Sequence, residues 1–397
     1  MNWRNIKLGE VLKIKHGYAF KGKYFGDKGK YIVLTPGNFR ESGGLKLKGD
    51  KEKYYLGDFP KEYILHKGDL LVVMTDLTQE CRILGSAAFI DADDVYLHNQ
   101  RLGKVVDINT ELVMKEFVYY LFNSKSVRTQ LINSSSGTTV HHTSPDRIYE
   151  VEVQIPPIKI QEKIVSILKS IDDKIQLNRQ MNETLEEMAM TLYKHWFVDF
   201  GPFQDGEFVE SELGVIPNNW KIGQVKDLAK VLSGKRPKVK DIGEYPIFGG
   251  GGPMGVTNEY LYNEPIFITG RVGTIGKVFR VSKPCWPSDN SLVLIPLKAY
   301  YYSFLYAVLK NIDFSLITGG STQPLITQTS LKSIKVIIPP EETIEQYNKQ
   351  VLTYYSLIDK NDNINKQLSE IRDYLLPRLL SGEIDVSKAE KQVEEVL

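Results

Sequence analysis

The chain has 397 residues, 42% of them hydrophobic and 25% charged, a composition that excludes a predominantly disordered protein and leaves room for two or three domains of about 150 residues. Its two cysteines, Cys81 and Cys285, stand far apart and in no Cys-x-x-Cys pair, which excludes a disulfide framework and a structural zinc site and suits a reducing cytoplasm. The N-terminus lacks the apolar core of a secretory signal, no run of about 18 apolar residues offers a membrane span, and a net charge of +1 is not that of a uniformly basic nucleic-acid binder.

Charge is nevertheless unevenly placed. Residues 1–53 hold 13 Lys/Arg against 5 Asp/Glu, whereas residues 172–212 hold 3 against 10. Residues 221–240 return to 7 against 1, and residues 341–397 to 7 against 12. A polyanion feels the basic faces rather than the mean.

In chain order, the first globular part offers short β-rich runs, Tyr31–Leu34, Asp69–Thr75 and Ala87–Ile90, separated by Gly, Asp, Asn and Pro. Val151, Val153 and Ile155 alternate with period two, as in a strand, and Pro156-Pro157 ends that strand sharply. From about Ile158 to Phe197 a helix is predicted, roughly 60 Å long at 1.5 Å per residue. Its seam runs Ile164, Leu168, Ile171, Ile175, Asn178, Asn182, Leu185, Ala189, Leu192 and Trp196, in coiled-coil steps of four and three. Two polar residues in mid-seam are expected to fix register or orientation.

The same text then begins again. Trp3, Leu8, Glu10 and Gly17 meet Trp220, Val225, Asp227 and Gly234 at one constant shift. Later, Gly137, Thr139, Val153 and Ile155-Pro-Pro157 meet Gly320, Thr322, Val336 and Ile338-Pro-Pro340 at a second. Asn178-Arg-Gln180 finds Asn365-Lys-Gln367 four residues later still, about one helical turn of extra length. The second copy carries the runs Pro265–Thr269 and Ser291–Pro296, the strand Ile334, Val336, Ile338, and a second seam of Val351, Ile358, Ile364, Leu368, Ile371, Leu375 and Leu379. Such helices overrun a domain of this size, so they are expected to pack on one another, antiparallel, with a globular part at each end.

Motifs resembling catalytic ones lack their context. Gly250, Gly252 and Gly255 spell Gly-x-Gly-x-x-Gly, but Pro253 intrudes and no helical pattern follows to receive a pyrophosphate. Asp146, Glu150 and Glu152 imitate nuclease carboxylates without the lysine, and Asp146 is read as capping a turn. His141 and His142, adjacent on an extended segment, point to opposite faces. Both Pro-Pro pairs follow Ile, unlike the signature of adenine methyltransferases. No catalytic set and no metal site emerge.

Two halves, each ending in strand, Ile-Pro-Pro and a long heptad helix, resemble the specificity subunits of type I restriction–modification systems over essentially the whole chain. The carriers are Gly17-Tyr-Ala-Phe-Lys21 and Gly234-Lys-Arg-Pro-Lys238, the Ser136-Gly-Thr-Thr139 and Gly320-Ser-Thr322 loops, both Ile-Pro-Pro triplets, Trp196-Phe-Val-Asp-Phe200, Leu213-Gly-Val-Ile-Pro217 with Trp220, and Leu375–Glu383. The resemblance implies an α+β fold of two pseudo-repeated mixed α/β target-recognition domains with a β core, separated by two long antiparallel coiled-coil helices. The expected division is 1–157 and 220–340 for the recognition domains, 158–198 and 341–382 for the spacer helices, 199–219 for a linker and 383–397 for a tail. It further implies double-stranded DNA with a bipartite asymmetric target and two docked methyltransferase subunits. Motor–nuclease subunits are also implied, with S-adenosylmethionine, ATP and magnesium on those partners and none on this chain. The region around Gly249–Gly255 has no evident counterpart in the first half, where Leu45–Gly57 stands instead, so the halves are expected to read different sequences.

Arg suits guanine and Asn or Gln suits adenine, so polar residues in Gly-rich and basic loops become DNA-contact candidates. In the first half these are Lys21, Lys23, Gln79, Arg82 and Asn99; in the second, Lys235, Arg236, Lys238, Arg271, Thr274, Lys277, Asn290 and Gln323. Asn99 and Asn290 are aligned as equivalents. Two other readings compete: a stand-alone restriction or modification enzyme with twin recognition domains, and a coiled-coil scaffold with no nucleic-acid role.

Overall fold

A computed structural model describes residues 3–394 apart from 79, 138–139, 239–240 and 320–324. The chain resolves into two units, Met1–Leu177 with Ile364–Leu397, and Asn178–Asn363.

The first unit contains β1 (Arg4–Lys7), β2 (Lys13–His16), β3 (Leu70–Val73), β4 (Ala87–Phe89), β5 (Leu102–Val106) and β6 (Glu152–Ile155). An antiparallel sheet runs β2-β5-β3-β4, and β1 pairs with β6 so that the start and end of the repeat close on each other, Arg4 opposite Ile155. β3 is Leu-Leu-Val-Val, buried on both faces, so it carries no alternation. Helices α1 (Lys115–Asn123) and α2 (Lys125–Ser134) deliver Phe117, Leu121 and Leu131 to the core beneath. The second unit repeats this plan with β7 (Lys221–Gln224), β8 (Ala229–Ser233), β9 (Ile266–Gly270), β10 (Val278–Val281), β11 (Ser291–Pro296) and β12 (Lys335–Ile338). Its sheet order is β8-β11-β9-β10, β7 closes on β12, and helix α4 (Tyr302–Asn311) lies against the core.

The Pro-Pro pairs end β6 and β12, and the long helices follow at once: α3 (Ile158–Phe197) and α5 (Glu341–Ser381). In the first unit the beginning of α3 packs on the end of α5, where Ile164, Leu168, Ile171, Ile175, Leu368, Leu375 and Leu379 are buried and Ile364 and Ile371 half-buried. In the second unit the end of α3 meets the beginning of α5 through Ala189, Val351, Tyr355 and Ile358, with Leu185, Leu192 and Trp196 at the margin. Both pairings are antiparallel. Each fully buried Ile or Leu contributes about 1.5–3 kcal/mol.

Polar seam residues are bonded rather than stranded. Arg372 donates to Asp172 at 3.0 Å, and Tyr120 donates to the same carboxylate at 3.0 Å. In the second unit Asn182 donates to Asp362 and accepts from Asn361, both at 2.8 Å; Asn178 is buried.

Two segments have more structure than their sequence suggests. The linker folds into a hairpin, Phe208–Ser211 with Gly214–Pro217, and its Phe200 and Phe203 rings pack on Trp220 at 5.3 and 5.1 Å. Beyond Gly382, a helix α6 (Val386–Glu394) buries Val386, Ala389 and Val393 in the first core.

Candidate nucleic-acid interface

Loops at one end of the second unit's sheet converge on a single turn, Ser288–Ser291, closed by the Ser291 amide donating to the Ser288 carbonyl at 3.0 Å. Gly234 donates to Ser291 O at 3.0 Å, and the Lys235 amide donates to Pro287 O at 2.9 Å, while Trp286 Nε1 returns a bond to Lys235 O at 2.7 Å. A Cβ at Gly234 would lie 2.1 Å from Ser288 O, so only glycine allows this approach. The Arg271 amide donates to Asn290 O at 2.9 Å, and Arg271 O accepts from Ile326 at 3.0 Å. Thr274 folds back on Gly250, Gly251 and Gly270. Lys235, Arg271, Thr274 and Asn290 are thereby gathered into one neighbourhood. Arg271 is half-buried, and its Nε has no protein partner among the described residues. Lys235, Arg236, Lys238, Lys277 and Asn290 are exposed.

The glycine run is a hairpin, not a nucleotide loop. Tyr245–Gly249 pairs antiparallel with Gly252–Thr257, and Tyr245–Gly249 runs parallel to Trp286–Pro287. The first unit does possess its counterpart: Tyr31–Val33 pairs antiparallel with Tyr54–Tyr55 and parallel with Tyr96–Leu97. The likeness was hidden because a two-glycine turn is replaced by residues 34–53, organised around buried Asn38 and Glu52, whose side chains bond at 2.9 Å.

First-unit candidates do not gather in the same way. Lys21 and Lys23 are exposed beside the Gly22–Tyr24 turn, Lys23 Nζ lying 4.8 Å over the Tyr24 ring. Arg82 is exposed but paired with Glu80 at 2.6 Å and near Glu41 at 4.0 Å. Its loop is organised by buried Asp76, which accepts from the amides of Thr78, Ile83 and Leu84 at 2.8, 2.7 and 3.2 Å. Burial, then the Asp76 charge, push the neighbouring Cys81 thiol up. Gln79 and Gln323 lie outside the described residues, as do Thr138, Thr139 and Gly320–Thr322.

Asn99 requires a correction. It is buried, its Oδ1 accepts the Arg101 amide at 3.0 Å, and it anchors a turn closed by Leu102 N–H donating to Asn99 O at 3.0 Å. A Cβ on Gly17 would lie 2.1 Å from Asn99 O, as one on Gly234 would from Ser288 O. Asn99 therefore corresponds to Ser288, not to Asn290. The amide of Met74 donates to Arg101 O, and that of Arg271 to Asn290 O, each at 2.9 Å. Arg101 is thus the counterpart of Asn290, and exposed Gln100 that of Asp289. Sequence reading missed this pair because no equivalent position of His98–Leu102 and Pro287–Ser291 carries the same residue, while Asn99 and Asn290 coincide only in a shifted register; the backbone bonds align them.

The repeat also governs the loops closing each domain. Ser136 exchanges backbone bonds with His142, and Gly319 with Leu325 in the same way. Ser144 and Thr327 then cap short helices, Pro145–Tyr149 and Gln328–Lys332. The cap is thus Ser144, not Asp146.

The family model of the type I restriction modification DNA specificity domain matches this chain twice, over residues 1–187 and 217–372. The chain belongs to that family. It is 31% identical over 306 residues to the type I restriction enzyme MjaIX specificity subunit of Methanocaldococcus jannaschii, 70% of either chain being covered. To the HindI specificity subunit of Haemophilus influenzae it is 26% identical over 391 residues, covering 76% of this chain and 84% of that one. Among solved structures, the S subunit of a type I restriction–modification system from M. genitalium shares the fold with a TM-score of 0.56 at 17% identity, 96% of each chain being covered.

Two units are accompanied by long helices, and the look-alike catalytic residues have structural partners. Lys7 pairs with Glu150 at 2.5 Å, Gln130 brackets the Glu152 backbone at 2.9 and 3.0 Å, and His142 Nδ1 bonds Thr75 at 2.9 Å. Among the described residues no group of three or more His, Cys, Asp or Glu could hold a metal, and no helix is long and apolar enough to cross a membrane.

Proposed function

We propose that this specificity-family chain is a non-catalytic targeting subunit whose two domains each read one half of a bipartite, asymmetric sequence in double-stranded DNA. The observation that carries the reading is the repeat itself. One scaffold is built twice with the same sheet order and the same clamping glycines, Gly17 and Gly234, while the exposed loop residues differ. Phosphate contacts would come from Lys21 and Lys23 in the first domain and Lys235, Arg236, Lys238 and Lys277 in the second, and base contacts from Arg271 and Asn290. The antiparallel helices would set the spacing of the half-sites and dock two methyltransferase subunits. S-adenosylmethionine would be held by those subunits, and ATP and magnesium by any motor–nuclease subunits.

The test is methylome sequencing of cells co-expressing this chain with its methyltransferase, which should return a split motif with one methylated adenine per half. A continuous motif, or methylation unchanged by omitting the chain, contradicts the reading. In gel shifts, log affinity should fall linearly with log salt, by about 0.9 per phosphate neutralised; binding indifferent to salt would favour a scaffold.

A further inference from the structure

The turns Asn99–Leu102 and Ser288–Ser291 hold the same place in the two repeats. We propose that they are the base-reading tips, Gln100 and Arg101 determining specificity at one half-site and Asp289 and Asn290 at the other. This deepens, and rests on, the DNA-reading function proposed above.

Their construction favours reading over mere charge. The outer residues of each turn are buried, Asn99 at 7%, Leu102 at 0%, Ser288 at 3% and Ser291 at 0% exposure, while both central residues are exposed. A glycine that admits no Cβ presses on each turn from outside, and a strand end bonds it from the other side, Met74 to Arg101 and Arg271 to Asn290. The first turn gains the Asn99 side-chain bond to the Arg101 amide. In the second, Ser291 Oγ donates to Phe248 O at 3.1 Å. A backbone so fixed adds no loop-ordering cost to a base contact, leaving only that of the side chain itself.

The residue types match. Gln and Asn pair bidentately with adenine, Arg with guanine, and Asp accepts from the cytosine amino group. Among the described residues the Arg101 side chain makes no hydrogen bond or ion pair, unlike Arg82, which is engaged by Glu80. The strand-end neighbour differs too: buried Met74 in the first domain, half-buried Arg271 in the second. At one shared locus the first domain offers a guanidinium from the turn and the second offers one from the strand beside it. A scaffold held constant while its four exposed tips change is what reading two unlike half-sites with one fold demands.

The test selects bound sequences from a randomised duplex library, using the full chain with co-expressed methyltransferase subunits. Wild type should return a split motif. Arg101→Ala and Gln100→Ala should each relax base preference in one half alone, on the order of ten- to a hundredfold at the affected position, and Asn290→Ala and Asp289→Ala in the other half alone. Arg101→Lys keeps the charge but not the bidentate fork, so it should relax the same position as Arg101→Ala. All four side chains are exposed, so melting temperatures should match wild type. The assignment is overturned if these variants select the wild-type motif, or if Arg101→Ala weakens all sequences equally while Arg101→Lys restores binding, the behaviour of a phosphate contact. Wild type selecting no motif would instead refute DNA reading as a whole.

Discussion

Asp359→Ala should destabilise the second unit by about 2–3 kcal/mol through the charge it leaves behind. Arg280, on β10, reaches α5 and binds both Asp359 oxygens, at 2.7 and 3.0 Å, while lying 4.7 Å over the Tyr355 ring. Burial is the largest single influence and pulls the guanidinium pKa down, but the hydrogen bonds it donates to Asp359, together with the Asp359 charge and the Tyr302 hydroxyl, hold the pKa above the ordinary arginine value. Removing one partner of a buried pair costs about 3–5 kcal/mol. Here the Arg280 side chain is 9% exposed and that of Asp359 37%, so water replaces part of the lost bonding and the figure falls to about 2–3. Arg280→Met with Asp359→Ala should recover to within about 1 kcal/mol of wild type, because no charge is stranded. Urea unfolding followed by tryptophan fluorescence is the assay, since Trp196, Trp220 and Trp286 lie in the second unit and Trp3 alone in the first. A loss under about 0.5 kcal/mol in Asp359→Ala, or a double variant as unstable as the single, would refute the argument.

His98 is buried, its Nε2 bonds Leu102 O at 2.9 Å, and burial pushes its pKa down to about 4. The unfolded chain takes up that proton near pH 6.5 and the folded chain only near 4, so the neutral histidine's contribution is complete above pH 7 and drains away between these values. First-unit stability should fall by about 2 kcal/mol from pH 7.5 to 5 on this account, and His98→Asn should flatten the dependence; equal slopes in urea titrations of both proteins would exclude it. Gly234→Ala drives a Cβ to within 2.1 Å of a backbone oxygen and should cost about 1–3 kcal/mol, read as a lowered melting temperature, with weakened DNA binding from a displaced turn. Truncation after Asp385 uncovers the sites of Val386, Ala389 and Val393 and should cost the first unit about 3 kcal/mol. Circular-dichroism melts unchanged by the truncation would show that α6 does not support that core.

Much of the architecture was legible because it rests on period and punctuation. Alternating Val153 and Ile155, a Pro-Pro stop and apolar residues at steps of three and four specify strand, boundary and rod from local chemistry alone. Helix α6 was expected only as a tail, because a stripe as short as Val386, Ala389 and Val393 is silent until a core exists to bury it. The site was less legible. Arg82 and Asn99 are residue types that bind DNA, yet one is engaged by Glu80 and the other is consumed inside a turn. Those fates depend on partners brought together by folding rather than on any pattern nearby.

The sequence by itself determined that one design is encoded twice, with helices too long for a single domain. Only the tertiary structure decided which loop positions are equivalent. Gln100-Arg101 and Asp289-Asn290 share no residue type, and their correspondence exists in the backbone: the bonds to Met74 and Arg271, the turn closures, and the glycines that press on each turn. Those bonds join strands distant in sequence, and a backbone amide carries no mark of the side chain beside it.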